Sequence, residues 1–251
     1  MYFSPKELAD FHRDGYILAR GMYSDAEIGH LSGWIDSLVK RGPVFGKEMF
    51  YFEESVLDKD KKVLSRVEKF SEFHPVMDGF IREDRMAGRV SELLGDTPSL
   101  FKDKINFKLS GGGGFAPHQD IQPGWDEYAP YFLSVLVTID DSTIENGCLE
   151  LAAGHHTRGL IGRKWKPLEG DELKGVTFTP APMRPGDVAF FDCFVPHQSK
   201  PNLTKVQRRN LYLTYNRLKD GDWREKYFAD KRKSYPPDNE REAGKEYVFK
   251  V

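Results

Sequence analysis

With only two cysteines, Cys148 and Cys193, in 251 residues, the chain has no basis for a disulfide-stapled scaffold and suits a reducing compartment. No apolar run approaches the about 18 residues that mark a membrane-spanning helix. The opening Met1-Tyr2-Phe3-Ser4-Pro5-Lys6-Glu7 also lacks a basic stretch followed by an apolar one, so neither span nor leader is expected and the chain reads as cytoplasmic. An excess of either charge is missing too: 37 basic residues against 39 acidic ones leave a formal net charge of −2. Without a basic stripe, nucleic acid and anionic membranes are not expected partners. Internal repeats and low-complexity linkers are absent. Core material is plentiful, with 39% apolar residues, 18 Phe, 11 Tyr and 4 Trp. At this length about 70% of the unfolded chain's surface can be buried.

Ser4-Pro5-Lys6-Glu7 carries a capping serine, proline at the first helical position and glutamate three residues after the cap, which together start a helix. Ser24-Asp25-Ala26-Glu27 repeats the arrangement, and Ile28, Leu31, Ile35, Leu38 and Val39 follow at spacings of three and four, so a second helix runs to about residue 40. A third is expected over 76–94, ending at Gly95. From about Leu100 the pattern becomes strand-like. Ile105, Phe107 and Leu109 alternate with Asn106 and Lys108; Leu133, Val135, Val137 and Ile139 alternate with Ser134, Leu136 and Thr138. Further strands are expected at 149–151, 188–191 and 211–215. Gly111 to Gly114, Glu145-Asn146-Gly147 and Arg184-Pro185-Gly186-Asp187 supply the turns. Many short strands with regular turns predict a β-sandwich or barrel. Beyond Asn216 the chain becomes highly charged.

The sharpest chemical feature is His118-Gln119-Asp120, answered far downstream by His197. On extended backbone, residues i and i+2 share a side, so His118 and Asp120 converge, and a histidine from a distant strand completes a triangle. Two imidazoles and a carboxylate hold divalent iron on one face and leave adjacent positions open for a chelating cosubstrate and oxygen. A His-x-Asp pair alone is weak evidence, but here it follows a Gly-rich loop, and His197 lies just past a strand, where barrel mouths gather functional groups. Arg208 lies eleven residues after His197 on the next strand. Its planar fork suits a carboxylate, and a dicarboxylic cosubstrate chelating the metal at one end needs a cation at the other. Arg209 should face the opposite way. The remaining histidines, His12, His30, His74, His155 and His156, read as surface or packing residues, and the two cysteines as small core residues.

The combined pattern resembles the phytanoyl-CoA dioxygenase-like family of iron(II)- and 2-oxoglutarate-dependent oxygenases. The likeness lies in Phe101-Lys102-Asp103-Lys104-Ile105-Asn106-Phe107-Lys108, Gly113-Gly114-Phe115-Ala116-Pro117-His118-Gln119-Asp120, Asn146-Gly147-Cys148-Leu149, Arg184-Pro185-Gly186-Asp187 and Pro196-His197-Gln198-Ser199. Phe11, Asp14, Gly15 and Tyr16 add to it. The resemblance implies one mainly β domain over 1–251. Its core is a double-stranded β-helix (jelly-roll or cupin-like) barrel at 99–218, under a mainly helical layer at 1–98, with a charged C-terminal segment at 219–251. It implies His118, Asp120 and His197 as iron ligands, and Arg208, Ser199 and Arg66 as contacts of 2-oxoglutarate. The cofactors are then Fe(II), with 2-oxoglutarate and O2 as cosubstrates. Leu136 stands where several relatives carry a tryptophan. Asp120 points to hydroxylation, because halogenating relatives give up this carboxylate.

In that family 2-oxoglutarate is decarboxylated to succinate and carbon dioxide while a substrate C–H bond is hydroxylated, so a small-molecule partner is expected, on a monomer or homodimer. Lys108, Gln122 and Trp125 are candidate substrate contacts, with Asp126, Glu127 and Tyr128 near the same mouth and Arg163, Lys231 and Arg232 as further cations for an anionic head group. The segment from Leu211 through Arg232 resembles bacterial relatives that include 2-aminoethylphosphonate dioxygenases. This makes that compound or a related zwitterion the first expected substrate. Hydroxylation of an acyl-CoA or amino acid, or a metal-dependent barrel enzyme that is not an oxygenase, is the alternative.

Overall fold

The computed structural model describes residues 1–247, so the last four residues of the charged C-terminal segment lie outside them. Helix α1 (Pro5–Asp14) and helix α2 (Asp25–Arg41) begin as their capping boxes require. The hydroxyls of Ser4 and Ser24 accept from the amides of Glu7 and Glu27, whose carboxylates accept from the serine amides in return. The helix expected over 76–94 is two helices, α3 (Pro75–Arg82) and α4 (Asp84–Leu94), parted at Glu83, where ψ is 151°. The apolar stripe explains the break. Met77 and Ile81 are four apart, but the next buried residue, Met86, comes five later, which on a continuous helix would turn it about 140° off the stripe.

The first 98 residues hold strands as well as these four helices. They contribute strand β1 (Tyr16–Ala19) and the hairpin β2 (Met49–Glu54) and β3 (Lys62–Glu68). Strands β4 (Pro98–Lys108), β5 (Phe115–His118), β6 (Phe132–Thr138), β7 (Leu149–Leu151), β8 (Thr179–Ala181), β9 (Val188–Asp192), β10 (His197–Ser199) and β11 (Arg208–Arg217) follow, and then helix α5 (Arg224–Ser234). They form a seven-stranded sheet, β1-β9-β6-β11-β4-β3-β2, and a four-stranded sheet, β5-β10-β7-β8, with antiparallel pairing throughout. This is the jelly roll, but its two sheets are not hydrogen-bonded into a closed barrel.

Strand alternation divides the large sheet into two chemistries. Ile105, Phe107, Leu133, Val135, Val137, Val188, Phe190, Leu211 and Leu213 all face the helical layer, where they meet Phe11, Ile28, Leu31, Ile35, Leu38, Ile81 and Val90. Each such fully buried side chain contributes about 1.5–3 kcal/mol. The alternate residues face the space between the sheets. There Leu136, Ala189 and Phe191 touch Leu149, Leu151 and Ala181 of the small sheet. Much of the rest of the inner face is polar: Lys102, Asn106 and Lys108 on β4, Ser134 and Thr138 on β6, and Arg208, Asn210 and Thr214 on β11, all buried. Helix α5 covers one end, burying Tyr227 and Phe228. None of the described helices is long and apolar enough to cross a membrane.

Candidate metal centre and the charged chamber

His118 ends β5 and Asp120 lies two residues on, while His197 opens β10 in direct register with His118. One ligand atom from each lies within 4.8 Å of the others, and the two imidazole centroids are 4.2 Å apart. Each ring is held by its far nitrogen. The Nδ1 of His118 is 2.8 Å from the Ala116 carbonyl, and that of His197 is 3.0 Å from the Val195 carbonyl. A carbonyl only accepts, so Nδ1 carries the proton and Nε2 keeps a bare lone pair for a metal. Burial, then the His197 charge, pushes His118 down to about 3, leaving it neutral at ordinary pH. Burial pushes the Asp120 carboxyl up, but the charges of His197 and Lys104 outweigh it and hold it below the usual range. Its Oδ2 also accepts from the Ser134 hydroxyl at 2.5 Å. Two imidazoles that turn Nε2 inward and one oriented carboxylate are a donor set that fits iron(II).

The residue between the ligands is a brace. The Gln119 side chain donates to the carbonyls of Gly159 and Phe194 and accepts from the Ile161 amide. Gln122 accepts from the Gln119 amide at 2.8 Å and donates to the carbonyls of Arg163 and Lys166 at 2.9 and 2.6 Å. With both ends of its amide engaged, Gln122 ties down the 159–168 loop and has no free group to offer as the substrate contact expected of it. Trp125 is buried against Phe101 and Phe132, with the Lys102 ammonium 5.6 Å from its ring.

Arg208 points inward and Arg209 outward, as strand alternation requires. Arg209 is fully employed beneath α2, bonding Asp140, Asp36 and Ser32. Arg208 is 2% exposed and has no carboxylate within ion-pair distance among the described residues. Its Nη1 is 3.5 Å from Ser142 Oγ and, with the Asn210 amide turned to face it, 2.8 Å from that oxygen; its Nε has no partner at all. Lys108 is its cross-strand neighbour and donates to Ser199 Oγ at 2.7 Å and to the Lys200 carbonyl. Burial and the Arg208 charge push Lys108 down to about 7. Two buried basic groups with no carboxylate in ion-pair distance among the described residues form a receptacle for an anion. This places Lys108, expected at the substrate, with Arg208 and Ser199.

Arg66 lies two strands from Arg208. It packs over the Tyr51 ring at 4.5 Å with its Nε 3.0 Å from Glu68. Of the other cations, Lys231 reaches the same Glu68, whereas Arg163 is exposed beside Glu169 and Arg232 is spent on the Lys47 carbonyl and Glu240. Sequence reasoning missed Ser134, Glu68, Lys102 and Lys104. The signal was present, since the even-numbered positions of β4 share the face of Lys108.

A family model described as Phytanoyl-CoA dioxygenase (PhyH) matches residues 11–210. A 2-aminoethylphosphonate dioxygenase from Uncultured bacterium HF130_AEPn_1 is 36% identical, covering 98% of this chain and 94% of the relative. A methylphosphonate hydroxylase from Gimesia maris is 35% identical over 91% of this chain and 86% of the relative. Among solved structures, EctD from S. alaskensis with 2-oxoglutarate and 5-hydroxyectoine superposes with a TM-score of 0.73 at 25% identity, covering 87% of this chain and 78% of that one.

Proposed function

Since the chain belongs to the phytanoyl-CoA dioxygenase family of iron(II)- and 2-oxoglutarate-dependent oxygenases, we propose that the small metabolite it hydroxylates is a phosphonate, with 2-aminoethylphosphonate the first candidate. The observation that carries this reading is that two relatives at 35–36% identity, each matched over nearly its whole length, are named for phosphonates. The positive inner face supports it, because a phosphonate brings charge that a neutral substrate does not.

The division of labour follows from the geometry. His118, Asp120 and His197 would hold the iron, with Ser134 and the two backbone carbonyls fixing the direction of the donors. Bound iron, 2-oxoglutarate and oxygen together supply the oxidation: the cosubstrate leaves as succinate and carbon dioxide, and one oxygen atom enters a substrate C–H bond. Arg208 takes the distal carboxylate of 2-oxoglutarate, and its unpartnered Nε is the donor a bidentate clasp needs. Ser199 and Lys108 complete that end. Leu136, Phe191 and Leu151 wall the space between the sheets with hydrocarbon and exclude water from it.

The test is succinate formation by the iron-loaded protein with 2-oxoglutarate and oxygen, across aminoalkylphosphonates, alkylphosphonates, amino acids, betaines and acyl-CoA thioesters. Stimulation by phosphonates, with a product heavier by one oxygen, is the expected result. Stimulation by another class alone refutes the substrate reading.

A further inference from the structure

Along the middle strands of the large sheet, burial is nearly complete. From Ser99 to Lys108 on β4 every residue is buried except Lys104, and from Arg208 to Asn216 on β11 every residue is buried except Tyr212. These two are direct cross-strand partners. Both belong to the face that the second sheet covers, so a half-buried pair there marks where the space between the sheets stays open. His118 of the metal centre, on the facing sheet, is half-buried too.

The two lysines that flank Lys104 on this face are already engaged. Lys102 turns its ammonium to Glu68 of β3, and Lys108 is tied to Ser199 and the Lys200 carbonyl at the Arg208 end. Glu68 is also the cross-strand neighbour of Lys104, yet the Lys104 ammonium turns the other way, onto the Tyr212 ring at 4.8 Å. No carboxylate lies in ion-pair distance of it among the described residues. By reaching over β11 it leans toward the metal centre. The next strand, β6, places Leu136 opposite Tyr212 and, two residues along on the same face, Ser134, whose hydroxyl holds Asp120. Among the lysines and arginines, Lys104 is the one whose charge weighs most on both Asp120 and His118. Burial and the Lys102 charge push it down to about 8, so it keeps its proton at neutral pH.

The chemistry of a phosphonate asks for a cation in this place. In methylphosphonate the one carbon that carries hydrogen is bonded to phosphorus, so hydroxylating it brings the anionic group within one bond of the atom that faces the iron. The cation that meets this group has to stand beside the metal ligands and open onto the chamber. We propose that Lys104 takes the substrate's phosphonate, with the Tyr212 ring holding its ammonium in place. The inference rests on the phosphonate reading and adds the residue that selects for it. An ammonium is a point charge with three donors, which suits the separated oxygens of a tetrahedral group where a carboxylate suits the planar fork of Arg208. A ring contact steadies the ammonium without occupying those donors as a carboxylate would.

The experiment uses the anaerobic enzyme loaded with iron(II) and 2-oxoglutarate, titrated calorimetrically with methylphosphonate and with 2-aminoethylphosphonate. Lys104→Met should weaken both ligands about 10- to 100-fold, while the visible iron–cosubstrate band still forms at the wild-type 2-oxoglutarate concentration. Lys104→Arg, which keeps the charge, should recover part of the loss. If the methionine variant fails to fold, Lys104→Gln carries the same test. Wild-type phosphonate affinity without the lysine would overturn the assignment and leave the substrate class standing. A weakened 2-oxoglutarate site with phosphonate binding unchanged would give Lys104 to the cosubstrate and overturn it as well, and a lowered urea midpoint with both ligands weakened alike would make the residue structural. Absence of phosphonate binding to the wild type, with turnover stimulated by another class, would overturn the substrate reading and this site with it.

Discussion

Replacing Arg208 by methionine separates a ligand-binding role from a structural one, because the two predict opposite effects on stability. The guanidinium is 2% exposed and lacks a carboxylate partner among the described residues, so in the free protein it is a buried charge that has lost its hydration without an ion pair in return, and burial pulls its pKa down. Removing one member of a buried ion pair costs about 3–5 kcal/mol. In the proposed complex the pair exists only once 2-oxoglutarate is bound, so the loss should fall on binding. Lys108 remains across the strand and retains part of the attraction, which argues for about 2–3 kcal/mol, or about 30- to 150-fold in affinity at 1.4 kcal/mol per decade. Methionine fills similar volume without a charge, so unliganded stability should hold or rise. Anaerobic titration of the iron-loaded variant with 2-oxoglutarate, followed by the visible band, measures the first quantity, and the urea midpoint of the metal-free protein measures the second. Affinity within threefold of wild type would refute the clasp. A weakened site accompanied by an equally lowered midpoint would show Arg208 to be structural.

Three further outcomes are expected. Ser134→Ala removes the hydroxyl 2.5 Å from Asp120 and should lower iron affinity about 10- to 100-fold, read by chelator competition; unchanged affinity would remove Ser134 from the site. Lys108, pushed down to about 7 by burial and by Arg208, is charged in the free enzyme only below that pH and must take up a proton to greet a carboxylate above it. The 2-oxoglutarate Kd should therefore rise with pH beyond 7, by up to about tenfold per unit, and Lys108→Met should flatten the profile. Gly147 has φ +76°, and a Cβ there would lie 2.1 Å from the Lys200 carbonyl oxygen; Gly147→Ala should cost at least about 1–2 kcal/mol in the urea midpoint, and an unmoved midpoint would contradict the close approach.

How far the sequence could be read depended on whether a local rule governed the residue. The caps at Ser4 and Ser24 and the spacing of His118 and Asp120 are local, and the structure has the helix starts and the convergence where these signals put them. Strand alternation also predicted that Arg208 and Arg209 part company, and they do. The strands β1, β2 and β3 were not legible. Met49 to Phe52 is a continuous apolar and aromatic run without alternation, because β2 sends Phe50 to the helical layer and Met49 and Tyr51 to a second apolar cluster. The break at Glu83 was visible only as a spacing of five, which is easily lost inside an otherwise helical pattern. Gln122 shows the opposite failure. A polar residue beside a metal loop reads as a ligand contact, and only the positions of two carbonyls forty residues away reveal that it is spent on the scaffold.

The charges of the chamber mark the limit of such reading most clearly. Lys102, Lys104 and Lys108 look in the sequence like three solvated lysines, and long charged side chains usually are. Their even spacing has one meaning on an exposed strand and another on β4, where the odd-numbered Ile105 and Phe107 are buried under α2 and the opposite face is covered by the second sheet and α5. Once both faces of a strand are covered, the alternation that elsewhere separates core from solvent separates core from ligand. A lysine in that second position needs an anion. Among the described residues Glu68 lies within ion-pair distance of Arg66, Lys102 and Lys231, and no carboxylate lies so near Arg208. Arg208 is the buried cation that still has an anion to meet, and in the proposed reaction the distal carboxylate of the cosubstrate is the group that meets it.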